Sequence, residues 1–493
     1  MNLYSSASEL ARAVRARKIG AQELLDAYLV RVDKLNPELN AIVVRVDDEA
    51  RKAARDAEKA VASGDALGPF HGVPMTVKES FSLAGTPTTY GLPPFRDNIA
   101  GEDALAVRRL KTAGAIVFGK TNVPPALADA QSANPIYGRT NNPWALDRTP
   151  GGSSGGSAAA LAAGLTALEL GSDIASSLRN PAHYCGVYAH KPTYGLCSSE
   201  GHWLRRRHAL GDISVIGPMA RSAEDLETAF AVIADHSQGP SGATIRPHEV
   251  SMASLRGLKV AVVTNDDYAP VDRCIENEIS KLAAFLCEEG AEVAIDARPD
   301  LESQRVHLVY ELLMRAAISQ EISDEEVAAF EAEKLDDTRP TSQLRSIFLD
   351  GVSMSHRAWL RLNEERQAMY HKWHEFFTGY DVLLSPVLAT PAFPHDDRIP
   401  AWRTLTVNGV ETEFGRQLFW AGYTGAFYLP STAVPIGLSD GGLPIGIQIV
   451  GDRLDDLKCL RFARLLEERY RAFQSPPGYP PELATFNREG AKG

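Results

Sequence analysis

Cysteine is scarce in this chain: five residues in 493, at 185, 197, 274, 287 and 459, with no C-x-x-C pair. Such an odd, scattered set excludes a disulfide scaffold and a Cys-rich zinc site, and it fits reduced thiols in a cytoplasm. Long apolar runs are lacking as well. The longest nearly apolar stretch, Ala158 to Leu168, falls well short of the ~20 residues that cross a bilayer, so no membrane partner is expected. The N-terminal segment MNLYSSASELARAVRARKIG has no apolar signal-peptide stretch, so no secretion signal is expected. Positive charge is not in excess: 51 Lys and Arg against 63 Asp and Glu give a net charge of −12. A nucleic-acid binder needs the opposite balance. No internal repeat occurs, and GGSSGGS is the sole low-complexity tract. What remains, 44% hydrophobic and 23% charged residues, is the composition of a folded chain with ample length to bury a core.

Ser6-x-x-Glu9 has the form of a capping box. Leu24, Leu25, Tyr28, Leu29, Val32 and Leu35 follow at helical spacing, and Pro37 follows the expected stop. Asp48 to Ser63 is a charged, Ala-rich helix, so residues 1–64 are expected to form a helical arm. Beyond Gly64, short apolar runs alternate with helices. Strands are expected at Pro74 to Val77, Ile116 to Phe118, Leu258 to Val263, Ala291 to Ile295, Val382 to Leu384 and Ile445 to Val450. Helices are expected near 103–113, 223–235 and 272–288, through an insertion at about 300–377, and from Leu454 to Arg471. This interleaving predicts an α/β layered fold with a mixed or parallel sheet. No Pro/Gly/Ser linker divides it, which favours one domain over 1–493.

Residues 148–181 read RTPGGSSGGSAAALAAGLTALELGSDIASSLRNP. A flexible linker is the plain reading of the Gly/Ser run. The Ala-rich helix former that follows argues instead for a loop opening a helix, where free backbone N–H groups favour negative charge. A phosphate cradle needs G-x-x-x-x-G-K-S/T, and no Lys follows Gly156. A nucleophile elbow, G-x-S-x-G, is matched by Gly151 to Gly155 and needs an acid and a His downstream, for which Asp381 and His395 are available.

The block also belongs to a longer series. It takes in GRTNNPWALDRTP (138–150), Gly72-Val73-Pro74-Met75-Thr76-Val77-Lys78-Glu79, Gly119-Lys120-Thr121-Asn122 and Gly171-Ser172-Asp173 through Arg179-Asn180-Pro181-Ala182. It continues through Cys185-Gly186-Val187, Lys191-Pro192-Thr193, Gly217-Pro218-Met219-Ala220-Arg221 and Gly442-Leu443-Pro444-Ile445-Gly446-Ile447-Gln448. In this order and over most of the chain, the series resembles the amidase signature family. The resemblance implies a large mixed β-sheet sandwiched between helices (α/β/α) and an amidohydrolase that uses no cofactor and no metal. It implies a nucleophile at Ser177, a bridging Ser153 held through a cis peptide at Gly152–Ser153, and a base at Lys78. Ser153 and Ser177 are 24 residues apart, as the family pattern requires. Ser154 is expected to support the loop. Asp173 and Arg179 are expected to pair and brace the turn. The oxyanion donors are expected to be the backbone N–H groups of Ile174, Ala175, Ser176 and Ser177. Two glycines are usual where Ala175 and Ser176 stand, and a Cβ there adds strain if the position needs φ > 0.

The chemistry is consistent with this set. A Ser hydroxyl is a poor nucleophile until a neighbouring base takes its proton. Lys serves as that base only when neutral, and its ordinary pKa near 10.4 must fall to about 7–8 by desolvation or adjacent positive charge. The expected reaction is acyl transfer from a small-molecule amide to Ser177, then hydrolysis. The alternatives are carbamate or ester hydrolysis by the same triad, or the amidase component of a glutamine-dependent tRNA amidotransferase. Family members are commonly homodimers. Tyr137, Trp420, Tyr423, Phe427 and the loop Ser385-Pro386-Val387-Leu388 are candidate pocket walls, although core packing is the default for an aromatic stripe that also includes Phe419. His371-x-x-His374 lacks the Glu and spacing of a zinc helix and reads as a solvated face. Arg205-Arg206-Arg207-His208 is a basic cluster able to attract acidic substrates.

Overall fold

The computed structural model describes residues 2–205, 209–234, 245–334 and 343–481. At its centre is an eight-stranded mixed sheet. Its order is Glu292–Ile295, Lys259–Val262, Val382–Pro386, Pro444–Val450, Ser431–Leu438, Tyr188–Lys191, Val215–Ala220 and Glu169–Asp173. The first three strands run parallel and the remaining pairings are antiparallel. All residues of Val382–Pro386 and Pro444–Val450 are buried. Their near-continuous apolar runs suit strands covered on both faces. The helices Arg179–Cys185, Arg273–Glu288 and Asp456–Arg469 pack against the central strands. One apolar cluster extends from Leu3 to Tyr479. Among the described residues no helix is long and apolar enough to cross a membrane.

A second sheet has three strands in the order Ile42–Arg45, Ile116–Thr121 and Pro74–Lys78. Two backbone hydrogen bonds join it to the large sheet, Thr76 N to Leu168 O and Ala167 N to Pro74 O, both 3.4 Å. This seam carries the end of Pro74–Lys78 to the strand Glu169–Asp173.

Several elements differ from expectation. The segment 1–64 is not helical throughout, because Ile42–Arg45 is a strand paired antiparallel with Ile116–Thr121. Four residues are too few to show a period. The preceding helix, Ala21–Leu39, runs through Pro37. It closes at Asn40, whose φ is 49° and whose N–H donates to Asn36 O at 2.6 Å. Pro37 forfeits one ladder bond, to the carbonyl of Asp33, but its fixed φ is compatible with the helix for the two residues that remain, so it did not mark the stop. Four strands of the large sheet had no strand signature. Glu169–Asp173 (ELGSD), Tyr188–Lys191 (YAHK), Val215–Ala220 (VIGPMA) and Ser431–Leu438 (STAVPIGL) are polar or contain Gly or Pro. They are strands because neighbours complete their ladders, and the register shift at Pro435/Gly437 absorbs the missing N–H.

The helix Gly155–Ala162 is buried at every position. Small residues allow this: a Cβ on Gly156 would lie 2.3 Å from Asn122 N and 2.7 Å from Asn122 O. Backbone cannot yield as a side-chain tip can, so Gly156→Ala is expected to cost about 1–3 kcal/mol. A thermal unfolding midpoint equal to that of the parent chain would contradict this packing.

Candidate functional site

Lys78 ends its strand at the seam, and its side chain is completely buried. Its Nζ donates to Ser153 Oγ at 2.6 Å and to Ser172 Oγ at 2.9 Å. Among the described residues no carboxylate pairs with it. Burial draws its pKa down to about 7, against the opposing pull of the Asp173 and Glu169 carboxyls. The amine therefore loses its proton near neutral pH, as a base must.

The Gly152–Ser153 peptide is cis, at the position that the resemblance implied. Ser153 is 1% exposed and Ser177 is 5% exposed, so accessibility rises from Lys78 outward to Ser177. The loops of Ser153 and Ser177 are tied together by Ser154 N donating to Ser177 O at 3.2 Å. No hydrogen bond joins the Ser153 and Ser177 hydroxyls among the described residues. Ser154 Oγ faces the backbone of the neighbouring strand, 3.4 Å from Ser172 O, which suits a supporting position.

Asp173 and Arg179 form a fully buried two-point pair. Arg179 Nε donates to Oδ2 and Nη2 to Oδ1, both at 2.9 Å. Burial alone would raise the Asp173 pKa, but the guanidinium keeps it below the usual carboxylate range. The carboxylate also takes Ser176 N–H at 2.9 Å and Leu178 N–H at 3.1 Å. Ser176 therefore leaves the expected set of oxyanion donors, because its N–H already serves Asp173. Ile174, Ala175 and Ser177 keep N–H groups that donate to no protein acceptor among the described residues. Position 176 is the strained one of the two: Ser176 has φ 72°, and its buried hydroxyl has no partner among the described residues.

The family model Amidase matches residues 23–460. The chain belongs to the amidase family. A relative named indoleacetamide hydrolase, from Bradyrhizobium diazoefficiens, is 33% identical over 473 residues, covering 94% of this chain and 86% of its own. A glutamyl-tRNA(Gln) amidotransferase component from Acidothermus cellulolyticus is 30% identical over 496 residues, covering 94% of each chain. The solved structure of a 6-aminohexanoate cyclic dimer hydrolase complexed with substrate has a TM-score of 0.78 at 26% identity, covering 97% of this chain and 100% of that one. The fold is that of the amidase-signature enzymes, and the chain is an amide-hydrolysing enzyme.

In this amidase-family fold, other expected features take different places. Trp420, Tyr423 and Phe427 are 0%, 3% and 1% exposed. Tyr423 packs on Trp373 at 5.0 Å and on Phe419 at 5.1 Å, while Trp420 Nε1 donates to Ala269 O at 3.0 Å. These aromatics fill core and do not wall a cleft. Tyr137 is half-buried, with its hydroxyl donating to Glu79 Oε1 at 3.4 Å. Ser385 to Leu388 are buried. Asp381 receives Lys259 N–H and His395 faces Leu146 O, so these two do not form the acid–His pair that the elbow reading needs. His374 pairs with Asp452. Arg206, Arg207 and His208 lie outside the described residues. Ser172 was missed: it stands in a quoted motif, but only the fold brings its hydroxyl to Lys78.

Ser176→Gly tests the turn. An L-residue in the left-handed region costs roughly 1–2 kcal/mol, and glycine's extra unfolded-state freedom takes back about half of the gain. The variant is expected to gain about 0.5–1 kcal/mol, read as a higher unfolding midpoint. A lower midpoint would contradict the strained turn.

Proposed function

We propose that this enzyme hydrolyses small carboxylic amides through an acyl-enzyme on Ser177, with Lys78 as base and Ser153 as proton bridge. The observation that carries this reading is the buried Lys78 amine, 2.6 Å from Ser153 Oγ. Ser177 Oγ attacks the amide carbon while its proton passes through Ser153 to Lys78. The free N–H groups of Ile174, Ala175 and Ser177 face the negative charge that forms on the carbonyl oxygen. As the C–N bond breaks, the amine leaves with the proton returned through Ser153. Water then cleaves the ester by the same route reversed. The Ser153–Ser177 hydrogen bond forms in the substrate complex, since such contacts tighten only there. The free state of all five cysteines is in keeping with a cytoplasmic enzyme.

The amidotransferase component among the relatives raises a second reading, in which the ammonia passes to a partner. Turnover of simple amides by the purified chain alone favours the hydrolase, and turnover only with a partner favours the amidotransferase.

Lys78→Ala is expected to lose at least about 100-fold in kcat/KM, the typical contribution of a general base, with circular dichroism unchanged. In the parent enzyme kcat/KM is expected to rise with pH through about 7, because the neutral amine is the active form and its fraction grows as pH passes the Lys78 value. Near-normal turnover in Lys78→Ala would overturn the mechanism.

A further inference from the structure

Ala175 and Ser177 carry two of the free N–H groups of the turn, and each N–H shares a planar peptide unit with the carbonyl of the residue before it. Among the described residues Gly152–Ser153 is the one cis peptide. Both units are therefore trans, with the N–H pointing opposite to the C=O. Holding the oxygen from behind sets the direction of the N–H in front. Both oxygens are held. Ser176 O accepts Asn180 N–H at 2.7 Å, from the first turn of the helix Arg179–Cys185. Ile174 O accepts the Tyr310 hydroxyl at 2.9 Å. The unit between these two is fixed from its other side, since Ser176 N–H donates to Asp173.

Asn180 belongs to the motif of the turn itself. Tyr310 comes from the helix Ser303–Ile318, 136 residues beyond Ile174 and outside every motif of the sequence. It is wholly buried. Its ring lies against Gly422 of the helix Leu418–Gly425, where a Cβ would stand 2.2 Å from Tyr310 Cδ1. The same helix receives Arg179 through Ala421 O at 3.2 Å. Burial and the Glu311 carboxyl push the Tyr310 pKa well above its ordinary value, so the hydroxyl keeps the proton that it donates. Ile174 and Ala175, in contrast, are the partly exposed residues of the turn. With its carbonyl side closed by a buried phenol, their shared peptide unit directs the Ala175 N–H away from the core.

We propose that Tyr310 is a positioning residue for the reaction: its hydroxyl, bonded to Ile174 O, aims the Ala175 N–H at the oxygen that becomes negative during attack by Ser177. A donor aimed in advance needs no reorganisation when the charge forms. A hydrogen bond to the carbonyl also polarises the peptide unit and strengthens its N–H as a donor. The helical insertion thereby completes a turn whose other contacts come from the signature motifs. The role rests on the reading of Ser177 as nucleophile given above.

A serine-directed fluorophosphonate reads this role without a known substrate. The Ser177 Oγ–P bond forms, fluoride leaves, and the phosphonyl oxygen gains negative charge in between. Saturation kinetics separate the binding constant of the probe from its rate constant of phosphonylation. Tyr310→Phe keeps the ring and removes the hydroxyl. It is expected to lower the rate constant about 10-fold, less than the ~100-fold or more of losing an oxyanion donor outright. The binding constant is expected to stay within about twofold, because the contact matters only once charge develops. A merely structural hydroxyl would lower the unfolding midpoint and leave the rate constant per labelled site where it was. A second variant leaves Tyr310 in place: lactic acid at position 175 turns the amide into an ester and removes the N–H. That chain is expected to react about 100-fold more slowly, and adding Tyr310→Phe is expected to slow it no further, since the hydroxyl then has no N–H to aim. A parent rate constant in Tyr310→Phe or in the ester chain would overturn the inference, and so would a full second loss when the two are combined. If the parent chain gives no adduct on Ser177, the reading of the nucleophile fails and this role with it; if it does and Tyr310→Phe reacts like the parent, only the inference about Tyr310 fails.

Discussion

Lys78 is an amine sealed from solvent, with two hydroxyls as hydrogen-bonding partners. Keeping it charged there opposes a shift from 10.5 to about 7, on the order of 5 kcal/mol at 1.36 kcal/mol per unit. The rest of the site is arranged around that constraint. The seam between the two sheets supplies the burial, and the strand end supplies the direction. The Gly/Ser loop brings Ser153 within 2.6 Å. Any change that wets this seam would restore an ordinary ammonium and remove the proposed base.

The proposed role of Lys78 needs a nucleophile held near it, and the Asp173–Arg179 pair fixes the turn that carries Ser177, the proposed nucleophile. A buried ion pair is weak evidence for stability, because desolvation offsets attraction. Here its geometry has a different consequence. Asp173 receives two turn N–H groups, while Arg179 Nη1 reaches Ala421 O, Thr424 Oγ1 and Gln448 Oε1. The turn carrying Ser177 is thereby tied to the helix Leu418–Gly425 and to the strand Pro444–Val450. Ser176 takes a left-handed conformation within this frame, and Asp173 holds the Ser176 N–H in place.

The motif-bearing parts were legible in the sequence. Ser6 and Glu9 form the expected capping box, the Gly/Ser loop opens a helix, and Lys78 and Ser153 meet. The apolar strands Val382–Pro386 and Pro444–Val450 were also readable from composition. Strands whose residues take their order from neighbours were not: ELGSD and VIGPMA carry no period of their own. Residues that act only through three-dimensional contact were equally hidden. Nothing in GSD shows that the Ser172 hydroxyl reaches the Lys78 amine. Tyr423 and Phe427 show the converse, since helical spacing reads the same for core as for a pocket wall.

The central claim is that Ser177 is the nucleophile activated from Lys78. Its most direct test is labelling with a serine-directed fluorophosphonate, followed by peptide mapping, in the parent enzyme and in Lys78→Ala. The account predicts a single adduct on Ser177 in the parent enzyme and little or none in the variant. An adduct on Ser153 or Ser154, or undiminished labelling without Lys78, would contradict it.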